Sequence, residues 1–534
     1  MMKADTVYGA FTDSASRWPE RPFLNVLPET AQIYGIEAGE ITYGEAQARI
    51  ASYRAEIEKA GYRKGQRVML LLENRPDYFL WWLAFNALGL SVVPINPDLR
   101  EAELAYMIDH AEPVLAISIP ARCEELRQAA KTAGRSLSVV ALGNSVPVAA
   151  TQHTIAARDG DPEAGLLYTS GTTGNPKGCI LTNAYFIEAG RWYANAEGVC
   201  AITTDGERMI TPLPIFHMNA MAFSFMAMLA VGGCLTALDR FHPRTWWASV
   251  KASKATCLHY LGVMPSMLMA TTPSREDQNH TVRFGFGAGI DPKLHAAFEM
   301  RFGFPLSEGW AMTETGAGGT ICANREPRVI GKSSIGQPDA AVEARLVDDQ
   351  GRDCDHGELL VRAAGCDPQK GFFAGYFKNE DATREAWQGG WFHTGDIVRR
   401  EADGTMYFVD RKKNVIRRSG ENIAAVEVES ALAKHPAIKA VAVAAVADEM
   451  RGDEVFACIV PEGQASPELA QEITRWCLTQ LAYYKAPGYV AFVEELPVTA
   501  TQKLQRATLK TLASSLLSDP ATIDTRALKK RNAA

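Results

Sequence analysis

The chain has few of the features that mark secreted, membrane-spanning or nucleic-acid-binding proteins. Its ten cysteines, scattered over 534 residues, include no Cys-x-x-Cys pair and no zinc-like spacing, which excludes a disulfide framework or zinc finger and leaves reduced thiols. No stretch approaches the roughly 18 uninterrupted apolar residues of a membrane span. The most apolar candidate, Phe79 to Ile95, is broken by Asn86, Gly89 and Ser91 and reads as a buried helix running into a strand. The N-terminus, Met1-Met2-Lys3-Ala4-Asp5-Thr6, lacks the apolar centre of a signal peptide, so a cytoplasmic location is expected. Basic residues are not in excess: 55 Lys and Arg face 62 Asp and Glu, a formal net charge of −7, which argues against a protein whose main partner is nucleic acid. There is no long internal repeat.

What remains is an ordinary soluble balance with ample core material. At 47% hydrophobic and 22% charged residues the chain has the composition of a globular protein, and its length exceeds what one core supports, so at least two domains are expected. Helix and strand patterns alternate early on: Tyr43 to Ala60 reads as a helix, Arg67 to Leu72 as a strand, Tyr78 to Leu88 as a helix and Ser91 to Ile95 as a strand. That is α/β patterning. It continues through strands at Met209 to Pro212, Cys234 to Leu238, Cys257 to Leu261 and Arg283 to Gly287. Turn signals at 348–351 and 402–404 then mark a β-rich region from about 330 to 408. The charged run Asp410-Arg411-Lys412-Lys413-Asn414 precedes a new helix-and-strand pattern, with a helix at Ala424 to Lys434, and marks a domain boundary at 410 to 413. The tail from Asp524, with Arg526, Lys529, Lys530 and Arg531, is polar and basic and is expected to fray.

The most telling segment is Tyr168-Thr169-Ser170-Gly171-Thr172-Thr173-Gly174-Asn175-Pro176-Lys177-Gly178 between two short apolar runs. Glycines turn the chain tightly, and backbone N–H groups with the Ser170, Thr172 and Thr173 hydroxyls can then face an anion such as a polyphosphate. It is not a Walker loop: Pro176 stands where the second glycine belongs, and Lys177 is followed by Gly178 rather than a hydroxyl residue. Further along, Thr313-Glu314 pairs a hydroxyl with a carboxylate after an apolar strand, a donor set suited to phosphate and Mg²⁺. Thr394-Gly395-Asp396 sets a carboxylate on a glycine turn, fit to accept from ribose hydroxyls.

These motifs, in this order from 168 to 506, resemble those of the adenylate-forming superfamily that includes the acyl-CoA synthetases, and the segment from Arg417 to Glu429 looks most like bacterial crotonobetaine/carnitine-type CoA ligases. The resemblance implies a large α/β N-terminal domain over 1–410, built from two α/β sheets and a β-rich subdomain, and a small mobile α+β C-terminal domain over 411–534. It implies a cytoplasmic ligase that uses ATP, Mg²⁺ and coenzyme A to convert a carboxylic acid, through an acyl-adenylate, to its thioester. ATP and AMP would be held by 169–174, Lys177, Trp310, Thr313, Asp396 and Arg411, and the metal by Glu314. Lys413 would be the hinge and Lys503 the catalytic lysine of the first step. Gly420 and Arg417 would line the path of CoA, and His217, Met264, Gly287, Ala288 and Gly289 the acid pocket.

Three residues depart from the family pattern: Trp310-Ala311 stands for the usual Tyr-Gly, and Gln502 for the glycine before the lysine. Trp310 would stack on the base or form one wall of an aromatic cage for a cationic acid. No Phe-Asp pair stands near 216, so an amino acid substrate is not expected. Within the family the alternative is an adenylation enzyme that loads a separate carrier protein. Outside it, the alternative is a nucleotide-binding sensor without catalysis.

Overall fold

A computed structural model of the chain describes residues 4–150, 162–169, 176–411, 415–497 and 504–531. Four sheets carry it. The first is eight-stranded, in the order Ile321–Cys322, Leu306–Trp310, Phe284–Ala288, Cys257–Leu261, Arg208–Thr211, Cys234–Ala237, Pro22–Val26 and Gly39–Thr42, parallel except for its two outer pairs. The second is six-stranded, with Ser138–Ala141, Leu115–Ser118, Arg67–Leu71, Ser91–Pro94 and Glu163–Thr169 parallel and Lys177–Thr182 antiparallel at its edge. Parallel strands covered by helices on both faces are buried along their length, as Arg67–Leu71 and Ser91–Pro94 are, apolar after a first polar residue that bonds Glu163. Between the two sheets the helix Pro76–Ala87 is buried along nearly its whole length and leads to the strand Ser91–Pro94, the buried helix and strand that its apolar sequence implied. No described helix is long and apolar enough to cross a membrane.

The third sheet is antiparallel: Ser334–Gly336, Met406–Arg411, Trp391–Arg400, His356–Ala363 and Val342–Val347. The fourth belongs to the small C-terminal domain. Its hairpin Val415–Arg418/Glu421–Ala424 is followed by the long pair Ile438–Asp448/Gly452–Pro461, with Tyr489–Phe492 parallel to the latter, and helices Ala425–Leu432, Pro467–Gln480 and Arg506–Leu516 pack against it. The helix over Tyr43–Ala60 and the strand over Cys257–Leu261 fall where the sequence pattern put them, and other boundaries differ by one or two residues. A Thr42–Glu45 capping box starts the former. None of the ten cysteines is bridged.

The C-terminal tail does not fray over its described part. Lys529 is buried and donates to Glu454, which also receives Arg418 at 2.8 Å, while Thr525 bonds the carbonyl of Pro487 at 2.8 Å and Arg531 pairs with Asp98 of the large domain at 2.9 Å. Polar residues read as solvated until a buried countercharge far along the chain claims them. Burial pulls Lys529 down to about 7, with the Arg418 guanidinium adding to the shift and Glu454 opposing it.

The small domain docks on the large one through a set of polar contacts. Lys485 bridges Glu103 of the large domain at 2.6 Å and Glu427 of its own domain at 2.7 Å. Burial works against the Lys485 ammonium, but the two carboxylates outweigh it and hold its pKa above the usual value. Asn96 donates to the Tyr484 hydroxyl at 3.0 Å.

Candidate active site

One cavity of about 990 Å³ opens where the C-terminal ends of the parallel strands, the third sheet and the small domain meet. Open α/β sheets place their ligand sites at such strand ends because the connecting loops diverge there. Thr169 and Lys177 line it from the last pair of the second sheet, whose register sets these two residues directly opposite each other. The loop between them that the resemblance assigns to phosphate, Ser170, Gly171, Thr172, Thr173 and Gly174, lies outside the described residues, as do Lys413 and Lys503.

Trp310 ends the strand Leu306–Trp310, and the turn after it brings Thr313 and Glu314 to the cavity. Glu314 is held from two sides: its Oε1 accepts from the Tyr376 hydroxyl at 2.9 Å and from Thr169 Oγ1 at 3.4 Å. Burial first, and then the Glu314 carboxylate, push the Tyr376 hydroxyl far up, so it remains a proton donor to that carboxylate. The Thr313 carbonyl accepts from Tyr185 at 2.9 Å, and Lys177 Nζ lies 4.6 Å from the centre of the Tyr376 ring. Tyr376 escaped the sequence reading because its place is set by pairing: Gly375 and Phe377 exchange backbone hydrogen bonds with the strand Lys177–Thr182.

Asp396 is buried in the strand Trp391–Arg400 with its backbone N–H on Thr394 Oγ1 at 3.0 Å, and antiparallel pairing sets Arg411 across from it. Its Oδ2 accepts from the indole N–H of Trp310 at 2.8 Å. The tryptophan that departs from the family pattern therefore ties the end of a strand in the first sheet to the middle of one in the third, 86 positions apart, through one bond.

His217 lies at the cavity with its ring 4.6 Å from that of Phe216 and its Nε2 3.5 Å from Glu421 of the small domain. Gly287, Ala288 and Gly289 line the wall, and a Cβ on Gly287 would strike the carbonyl of Tyr260. Met264 does not line the cavity. It packs into the core with Tyr260, Leu268 and Phe298, while its helix neighbours Val263 and Ser266 face the opening. Adjacent helical positions point about 100° apart, so Val263 and Met264 cannot both face the opening. From the small domain come Arg417, whose guanidinium sits 5.3 Å from the Phe408 ring, and Gly420, at φ +91° and against Leu261.

The chain matches the model of the AMP-binding enzymes over residues 11–377 and that of the AMP-binding enzyme C-terminal domain over 427–503. The chain belongs to the AMP-binding enzyme family. It is 31% identical to a crotonobetaine/carnitine–CoA ligase of Salmonella arizonae, over 90% of this chain and 96% of that one. It is equally 31% identical to a sulfoacetate–CoA ligase of Cupriavidus necator, over 95% and 97%. Among solved structures, a malonyl-CoA ligase with methylmalonyl-CoA and AMP bound superposes with a TM-score of 0.74 at 26% identity, over 90% of this chain and 97% of that one. Within the family the chain is an ATP-dependent acid–CoA ligase, as the motif order implied.

Proposed function

We propose that this ligase works in two half-reactions at the one cavity. An oxygen of the acid's carboxylate attacks the α-phosphorus of ATP and pyrophosphate leaves; the thiol of CoA then attacks the acyl carbon and AMP leaves, taking the electron pair of the broken C–O bond. Thr169, Lys177 and Thr313 contact phosphates, Asp396 and Arg411 hold the ribose, and His217 with Gly287 to Gly289 borders the acid. The domain boundary at 410 to 413, with Lys413 as its hinge, lets the small domain present Lys503 for the first step and Gly420 with Arg417 for the second. What supports this reading is the convergence of Glu314, Asp396 and the Gly420 loop on one opening.

Among the described residues no cluster of three or more His, Cys, Asp or Glu is arranged to hold a metal ion. Glu314 alone nevertheless fits Mg²⁺, which is usually bound through one or two carboxylates and the substrate's own phosphates. When bound, Mg²⁺ neutralises phosphate charge. Tyr376 and Thr169 both donate to Glu314 Oε1, which fixes the carboxylate beside the phosphate-side strand.

Trp310 gives a prediction of its own. A hydrogen bond to a charged group contributes about 1.5–3 kcal/mol, so Trp310→Phe, which removes only the N–H and part of the ring, is expected to raise KM for ATP roughly tenfold or more with little change in KM for the acid. Equal shifts in both would show that the indole borders the acid instead. The ligase reading itself is tested by following AMP and thioester with ATP, Mg²⁺ and CoA across aliphatic, aryl and betaine acids. Thioester with one class of acid is the expected result. Acyl-adenylate that accumulates without thioester would point to a carrier protein as acceptor, and no turnover with any acid would favour a sensor.

A further inference from the structure

The aromatic part of the cavity wall carries a polar arrangement that the ligase chemistry does not use. Asn219 lines the cavity beside Phe223 and Phe286, whose ring centres are 6.2 Å apart. It opens a seven-residue π-helical stretch, Asn219–Phe225, a rare geometry that recurs at functional sites because it redirects side chains out of helical register. Behind it stands His259, fully buried on the strand Cys257–Leu261. Its Nδ1 lies 2.8 Å from Asn219 Oδ1 and 2.8 Å from Ser224 Oγ, and its Nε2 lies 3.0 Å from the Tyr193 hydroxyl.

With the Asn219 oxygen facing Nδ1, as the structure places it, the network has one consistent proton arrangement. Burial pulls His259 down to about 3, so the ring is neutral and has one N–H. If that proton sat on Nε2, the lone pair of Nδ1 would face the lone pairs of the Asn219 oxygen. With the proton on Nδ1, the ring donates to both oxygens and Nε2 accepts from Tyr193, so each polar atom is matched. The Asn219 oxygen, also reached by Ser224 Oγ at 3.5 Å, is thereby committed. What Asn219 retains for a ligand is its amide N–H₂.

We propose that Asn219 reads the chain of the acid, donating its amide N–H to a neutral oxygen acceptor such as a carbonyl or hydroxyl, so that oxygenated acids are preferred over hydrocarbon acids of the same outline. This rests on the acid–CoA ligase reading above. The charges around the site set the acceptor's class. Among the described lining residues every Lys and Arg belongs either to the phosphate-side strand, as Lys177 does, or to the small domain, as Arg417, Arg451 and Lys485 do. An anionic tail next to Phe223 and Phe286 would lack a countercharge, and a cationic tail would meet two N–H donors. A neutral acceptor completes the donor's valence at no such cost. His259 acts through Asn219 and is a positioning residue.

The test pairs oxo acids with methyl-branched acids of the same outline, such as 4-oxopentanoate with 4-methylpentanoate and 5-oxohexanoate with 5-methylhexanoate, and measures kcat/KM for AMP release and thioester formation by the full chain. At the chain position that reaches Asn219, the wild-type protein is expected to favour the oxo acid by about tenfold or more. Asn219→Leu, and Asn219→Asp as a variant of the same size, are expected to remove that preference, while Phe223→Leu shifts both members of a pair together. Thioester formation with no oxo preference at any position, or a preference that survives in both Asn219 variants, overturns the proposal and leaves the ligase reading intact. Failure of every acid to release AMP overturns both.

Discussion

Lys503→Ala is expected to lower acid-dependent pyrophosphate release by about 10²- to 10³-fold, the usual cost of removing one preorganised donor at developing charge, while thioester formation from added acyl-adenylate and CoA changes little. Leu504 and Arg506, which follow the lysine in sequence, are tied to the small domain itself: Leu504 packs on the cluster of Phe456, Ala491 and Leu509, and Arg506 bonds Glu429 at 2.5 Å and 2.7 Å. Neither lines the cavity, whereas Gly420 and Glu421 do. The described residues present the Gly420 loop to the cavity, and on the two-step reading proposed above Lys503 serves adenylation in a different placement of the same domain. Only then does a lysine variant separate the half-reactions. Equal loss in both assays would mean that Lys503 has no step of its own.

Much of the architecture was legible in sequence because the central strands are uninterrupted apolar runs and the helices between them are periodic. The candidate site was legible where its residues are contiguous, as in Thr313-Glu314 or Thr394-Gly395-Asp396. It was not legible where an alignment of distant strands makes the site. Trp310 could be noticed as a departure, but its bond to Asp396 exists only because two different sheets end at the same opening. The pairing of Tyr376 with Glu314 likewise depends on a segment that runs beside Lys177–Thr182. His259 carries no local signal at all, since one histidine in an apolar strand reads as core until Asn219 and Tyr193 are placed against its two nitrogens. The tail failed for the converse reason: its lysines look solvated, and Glu454, which claims Lys529, is 75 positions away. Met264 shows the remaining difficulty, for a segment can be assigned to a pocket without saying which of its side chains turns inward.

Gly420→Ala is expected to do the opposite of Lys503→Ala: adenylation stays near wild type and the thioester step falls about 10²-fold. Two observations carry this. Gly420 sits at φ +91°, where a side chain costs about 1–2 kcal/mol, and a Cβ there would run into Leu261 Cδ1 of the large domain. Relief by local movement is limited, because the loop is clamped on both sides. Arg418 is buried against Glu454 at 2.8 Å, and Glu421 faces His217 at 3.5 Å. The backbone strain stays within the small domain, whereas the contact with Leu261 acts on the docked arrangement, so on the two-placement reading proposed above the first half-reaction is spared. Measuring pyrophosphate release and thioester formation in both variants gives a crossed pattern if one domain serves two steps. If Gly420→Ala slows both steps alike, the contact with Leu261 is a fixed interface and the alternation of the small domain falls with it.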